Sequence, residues 1–295
     1  MRVNPNSTPD LLAALARTQQ EEQSAMLQIA SGRRVNTPSD DPAAAAVLVQ
    51  NHARAEQADQ FRRSISSLQS QLQTADSTLN SVILALQRAL TLGVQGANGT
   101  LSDANRASIA EELRGVQQHL LNLANTSFQG NYLFAGTATQ IAPFTADISQ
   151  PSGVRYNGNA NLNRLTVGEG FSLPVNKPGS ELFAAAGADM FQAVQDLIAA
   201  IQTGTGTDTA IGAVRMAFDS ISALRSFYGN ALNQLEAQQT SLNNEKLELG
   251  RQENIVGGAD LATAASQLVN AQNARTAALQ AAGGILRMSL FDFLK

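Results

Sequence analysis

The chain of 295 residues has no cysteine and no tryptophan, and only 5% of it is aromatic. Lacking cysteine, it has no disulfide framework, no thiol chemistry and no thiolate metal site, and it suits either redox compartment. Enzyme cores usually lean on aromatic side chains, so this alanine-, glutamine- and serine-rich mixture suits long helices with small-residue seams better. Charged residues make up 15% and the net charge is −4, which leaves no basic footprint for nucleic acid. No run approaches the ~20 apolar residues that span a bilayer, so no membrane insertion is expected. The opening stretch MRVNPNSTPDLLAALARTQQEEQ has no apolar signal core. The expectation is a cytoplasmic protein, or one that leaves by a route needing no such signal.

The usual signs of chemistry are missing too. There are two histidines, His52 and His119, each alone among Gln, Asn and Ala, and each reads as solvated or interfacial. Gly93, Gly96 and Gly99 follow a helical pattern at intervals of three, which is not a nucleotide-binding fingerprint. No Ser, His and Asp fall in a strand–turn–helix context. The chain therefore reads as a non-enzyme, with no catalytic residue, no metal ligand and no cofactor expected.

What is present is helical periodicity. From Asp260 to Lys295 one seam runs through Leu261, Ala265, Leu268, Gln272, Arg275, Leu279, Ala282, Leu286, Ser289 or Leu290, and Phe293. Alternating steps of three and four mark a helix lying along another helix. Ordering such a segment costs about 1–2 kcal/mol per residue, and each buried large apolar side chain returns about 1.5–3 kcal/mol, so it requires a mate. The N-terminal segment offers one. A helix beginning near Thr8-Pro9 carries Leu12, Leu15, Met26 and Ile29 on one seam, interrupted by Gln19 and Glu22, and ends at Ser31-Gly32.

The run SGRRVNTPSDDPAAAA, Ser31 to Ala46, is a loop that starts a helix. Asp41 is placed to cap, Pro42 to occupy the first helical position, and Asp40 and Asp41 to complement the helix dipole. An acid–base or metal role for the two aspartates is the sharper alternative, but no histidine or third carboxylate lies nearby in sequence. From Pro42 to Leu92 there is no further Pro and no Gly, which argues for a rod-length helix. Its second half carries Ile65, Leu68, Leu72, Ala75, Leu79, Val82, Leu86 and Ala89. Gly93, Gly96 and Gly99 are expected to break it. Ser102 caps a third helix with Ile109, Leu113, Val116, Leu120 and Leu123 on its seam, completing an antiparallel hairpin.

At Phe128 the character changes to aromatic, Gly-punctuated sequence, with Asn157-Gly158 between alternating runs as a hairpin cue. Residues 131–180 read as a small β-rich insertion expected to project from the helical halves. Helical periodicity resumes near Glu181, pauses at Gly204-Thr205-Gly206, and then runs from Asp208 to Val256. In that last helix Ile221, Tyr228, Leu235, Leu242, Leu249 and Val256 recur every seventh residue, beside polar Gln239, Lys246 and Glu253.

The expected fold is thus mainly α. A coiled-coil rod is formed by the N- and C-terminal segments, with a β-rich domain inserted mid-chain. The expected divisions are residues 1–45 with 258–295 as a terminal coiled coil, 46–130 with 181–257 as a helical rod, and 131–180 as an outer domain. Candidate assembly residues are Leu12, Leu15, Met26, Ile29, Leu261, Leu268, Leu279, Leu286, Leu290 and Phe293.

The loop SGRRVNTPSDDPAAAA, with Arg33, Asn36, Asp40, Asp41 and Pro42, resembles the loop after the first helix of the bacterial flagellin family. The final run ILRMSLFDFLK and the block GNYLFAGT (Gly130 to Thr137) resemble the branch of that family that joins hook to filament. The start, Met1 to Pro5, departs from the family because Pro5 shortens any very early helix. The resemblance implies a structural subunit exported unfolded through the flagellar type III apparatus, with terminal helices that are mobile in the monomer and become ordered as coiled coils lining an inner tube. It implies self-association into a ring, hook-associated protein 1 below, flagellin above, and a cytoplasmic export chaperone at the C-terminal segment. Filament flagellin itself is the competing reading. A type III-secreted coiled-coil adaptor, the reading from another class, would need a lipid-entering stretch if it acted as a translocator, and none is present.

Overall fold

A computed structural model describes the backbone of residues 7–293 and the side chains of residues 9–281 apart from Leu11. Three helices open the chain: α1 (Ser7–Ser31), α2 (Pro42–Gly96) and α3 (Asp103–Ala124). Six short strands follow, β1 (Ser127–Phe128), β2 (Asn131–Tyr132), β3 (Phe144–Ala146), β4 (Val154–Tyr156), β5 (Arg164–Gly168) and β6 (Phe171–Pro174). After a single turn of helix, α4 (Gly179–Leu182), come β7 (Ala184–Ala185) and β8 (Ala188–Asp189), then α5 (Met190–Thr203), α6 (Thr207–Gly257) and α7 (Leu261–Phe293). The protein is mainly α with a small β-rich insert. Two compact units form, residues 1–57 with 244–295 and residues 58–243. The division falls inside α2 and α6 rather than at helix ends.

The larger unit is built on the heptads. Ile65, Leu72, Leu79, Val82 and Leu86 of α2 and Val214, Ile221, Tyr228 and Leu235 of α6 are almost wholly buried in one core with Leu113 and Leu120 of α3. Each such side chain contributes about 1.5–3 kcal/mol of burial. Across that core the Arg225 guanidinium grips Asp76 in a two-point pair, Nε to Oδ1 at 2.7 Å and Nη2 to Oδ2 at 2.9 Å, and donates to Asn80 Oδ1 at 2.9 Å. Ser102 caps α3 by accepting from Asn105 N.

Gly93 and Gly96 do not break α2, which runs through both. The missing side chains instead let α2 approach its neighbours. A Cβ on Gly93 would stand 3.0 Å from Ile211 Cγ1 and 3.2 Å from Leu197 Cδ2, and one on Gly96 would stand 2.7 Å from Ile201 Cδ1.

The strands pair as four antiparallel two-stranded hairpins in chain order. Asn157-Gly158 is not a hairpin turn, because β4 pairs backwards with β3 and β5 pairs forwards with β6 across Gly170, which takes the left-handed φ of 68°. Asn125, at the end of α3, docks β3 by accepting from Phe144 N at 2.9 Å and donating to Phe144 O at 2.7 Å. The Phe144 ring then meets Tyr156, Phe183 and Phe191 at 5.0, 5.9 and 5.2 Å between centroids. The insert therefore does not merely project. Phe144, Val167, Leu173 and Val175 belong to the core that the helices build.

Candidate assembly interface

In the smaller unit α1 lies along α7. The buried line between them is thin: Ala25 on α1 and Ala264 and Ala271 on α7 are nearly inaccessible. Leu15, Thr18, Glu22 and Gln28 of α1 and Leu268, Arg275 and Ala278 of α7 are half-buried beside them. Alanines at positions seven apart let two helices approach closely but bury about one methyl each, roughly 0.8 kcal/mol. Arg275 donates to Glu22 at 2.8 Å, with the Glu22 side chain only 15% exposed. A groove of ≈ 690 Å³ lies along this pair, lined among others by Arg17, Ser24, Ala25, Gln267 and Ala271.

The candidate assembly residues fall mostly beside this line. Leu15 and Leu268 flank it. Leu12, Met26, Leu261 and Leu279 are more than half exposed, Ile29 is 37% exposed, and Leu27 and Val269 add to the uncovered apolar surface. Leu286, Leu290 and Phe293 lie outside the described side chains. The intrachain stripe was hidden in the sequence because alanine is also the helix filler. Its signal is the spacing 264–271–278, one step beside the leucine seam.

The loop after α1 closes the base of the pair. Gly32 leaves α1 with a φ of 67°. Ala259 N then donates to Gly32 O at 3.0 Å and Arg34 N to Gly257 O at 2.7 Å, framing an antiparallel bridge between Arg33 and Gly258. The Arg33 side chain is exposed; Arg34, which the motif reading passed over, does the binding. Its guanidinium reaches Asp41 Oδ2 at 3.1 Å and Val256 O at 2.8 Å. Asp40 accepts from Thr37 N at 2.8 Å and Asn36 N at 2.9 Å, and these backbone donors hold its carboxyl below the ordinary value of 3.8. Asn36 Nδ2 donates to Arg33 O. Asp41 caps α2 through Ala44 N at 3.0 Å, and that bond, with Arg34 second, lowers its pKa also. Asp260 does the same for α7, accepting from the Thr263 hydroxyl at 2.8 Å and from Ala262 N at 3.0 Å. The aspartates are thus consumed in caps and turns, and no cluster able to hold a metal occurs among the described residues. A cavity of ≈ 350 Å³ beside this clasp is lined by Leu48, Val49, His52 and Glu253 among others. His52 lies mostly in solvent, 3.3 Å from Glu56.

Comparison with known proteins gives this arrangement a class. Residues 6–139 match the family described as the bacterial flagellin N-terminal helical region. The chain is thereby similar to the flagellin-like axial proteins of the bacterial flagellum. Within that class it is similar to flagellar hook-associated protein 3 of Escherichia coli K12, at 29% identity over 91% of each chain. Flagellin of Listeria innocua is 27% identical over 82% of this chain and 80% of its own. In fold, a flagellar hook-associated protein from Vibrio parahaemolyticus superposes with a TM-score of 0.68, covering 73% of this chain and 98% of that one at 22% identity. No described helix is long and apolar enough to cross a membrane.

Proposed function

We propose that this chain joins the flagellar hook to the flagellin filament as a structural subunit, and that it is exported by the flagellar type III apparatus. Near-full-length likeness to hook-associated protein 3 supports that place over the filament itself, where the likeness is weaker. The observation that carries the mechanism is the mismatch on α1 and α7: an alanine line within the chain, and leucine, methionine and isoleucine left in solvent beside it. In assembly the segments 1–45 and 258–295 form the inner tube, neighbouring copies in a ring cover those apolar side chains, and 131–180 faces outward. Hook-associated protein 1 lies below, flagellin lies above, and an export chaperone holds the C-terminal segment before secretion. Chemistry plays no part in this role.

The test is genetic and direct. Cells lacking the gene should carry hooks without filaments and spill flagellin into the medium, and the wild-type gene should restore filaments. Filaments of normal number and length in the deletion strain would overturn the reading. Purified protein should bind hook-associated protein 1 and should not polymerise alone; long filaments of the pure protein would favour the flagellin reading instead.

A further inference from the structure

The sequence contains two Asn-Gly dipeptides, Asn98-Gly99 and Asn157-Gly158, and the fold treats them in opposite ways. Asn98 and Gly99 are both exposed in the connection between α2 and α3. The Asn98 side-chain oxygen Oδ1 accepts two hydrogen bonds, from Thr100 N at 3.2 Å and from the Thr100 hydroxyl at 2.9 Å. Its amide Nδ2 is bonded to nothing described, and Gly99 N donates no described bond. A side chain added at Gly99 would meet nothing within 4 Å. At the second dipeptide, Asn157 Nδ2 donates to Thr145 Oγ1 at 3.0 Å and to Ala142 O at 3.5 Å. There Gly158 is pressed against the Tyr156 ring, with room for a Cβ only 2.6 Å from Tyr156 Cζ.

We propose that Asn98 is a site of self-directed covalent modification, an intramolecular deamidation for which the α2–α3 loop is built and from which the β-rich insert shields Asn157. Two donors aimed at one carbonyl oxygen are the arrangement that stabilises the oxyanion of an acyl transfer, and Gly99, with no Cβ, leaves its nitrogen free to approach. The Gly99 nitrogen attacks Asn98 Cγ; the new N–Cγ bond forms, the Cγ–Nδ2 bond breaks, and Nδ2 leaves as ammonia with the proton that Gly99 gives up. Water then opens the resulting five-membered imide at either carbonyl, giving aspartate or isoaspartate at position 98. Only water is consumed and ammonia is released; a buffer base carries the proton from Gly99 N to the departing Nδ2 and is regenerated. The product adds one negative charge to the loop. In its isoaspartyl form it lengthens the main chain by one methylene, just where Leu101 N donates to Asn98 O at 3.1 Å.

The experiment is to age the purified full-length protein in mildly alkaline buffer and to follow both tryptic peptides by mass spectrometry with isoaspartate detection. In the folded protein the Asn98 peptide should show the amide-to-acid mass gain while the Asn157 peptide stays unchanged; in denaturant the two should convert at similar rates. Gly99→Ala should slow conversion at Asn98 without unfolding the protein, as circular dichroism would verify. Thr100→Val should slow it by about two- to tenfold, the value of one hydrogen bond open to water. An Asn98 peptide that remains intact, an Asn157 peptide that converts as fast in the folded protein, or a Thr100→Val variant that keeps the full rate would each overturn the proposal.

Discussion

Gly96→Ala should destabilise the larger unit, although alanine is the better helix former. The new Cβ would lie 2.7 Å from Ile201 Cδ1, 2.8 Å from Cγ1 and 3.3 Å from Cγ2. Ile201 cannot swing aside, because its side chain is completely buried and a β-branched residue in a helix holds essentially one χ1 rotamer. Overpacking of this kind costs about 1–3 kcal/mol. The offsetting gain from replacing glycine, at most about 1 kcal/mol in a helix interior, is reduced here because Gly96 is the last residue of α2. The control is Gly212→Ala, inside α6, where an added Cβ meets nothing within 4 Å; it should stabilise by about 0.5–1 kcal/mol. Paired thermal and urea melts should therefore move in opposite directions, with Tm falling by about 2–4 °C per kcal/mol for Gly96→Ala. If the two variants shift together, α2 does not approach α5 as closely as the structure places it.

Three further outcomes are expected. Leu279→Asp and Leu261→Asp change half-exposed positions, so the free monomer should melt within about 0.5 kcal/mol of wild type while motility and incorporation are lost; normal swimming would exclude these residues from the subunit contact. The carboxyls of Asp40 and Asp41 lie lowered from 3.8 in the folded chain, so their contribution is complete above that value and is lost as pH falls through the still lower folded values; NMR shifts of the Asn36, Thr37 and Ala44 amides should move only in that acid range, and the response of Asn36 and Thr37 should disappear in Asp40→Asn. Phe144→Ala removes the centre of the aromatic cluster and should cost about 3–5 kcal/mol in denaturant melts, where a change below about 1 kcal/mol would show the insert to be loosely attached.

The long helices were legible in the sequence because burial there follows a single period. Ile221, Tyr228, Leu235, Leu242 and Leu249 all lie inside, and Gly32 and Ser102 punctuate the chain through local backbone preference alone. Where two partners competed, the pattern was silent. Asn157-Gly158 has the composition of a hairpin turn, but β4 prefers the earlier strand β3. The loop between them is tied by Asp147 to Ser149 Oγ at 2.6 Å and to Arg155 at 2.9 Å, with Gly153 at a φ of 72°. Gly93 and Gly96 read as breakers for want of knowledge of what stands opposite them; beside Leu197 and Ile201 they are spacers. The terminal helices carry two seams side by side, one of leucine and one of alanine, and hydrophobicity alone highlights the first. Arg34 and Arg33 are indistinguishable by composition, and only the fold shows that Arg34 is the one that reaches Asp41 and Val256.

That bridge has a mechanical consequence. From Gly32 and Gly258 the two terminal helices extend as a pair of levers, and a 25-residue α1 is about 37 Å long. A rotation of about 5° at the base would sweep its far end through about 3 Å, enough to exchange one set of neighbouring side chains for another. The base of the pair is held by short polar contacts, among them Arg34 to Asp41 and Val256. A small hinge of that sort lets the helical pair tilt as one piece, without unwinding either helix.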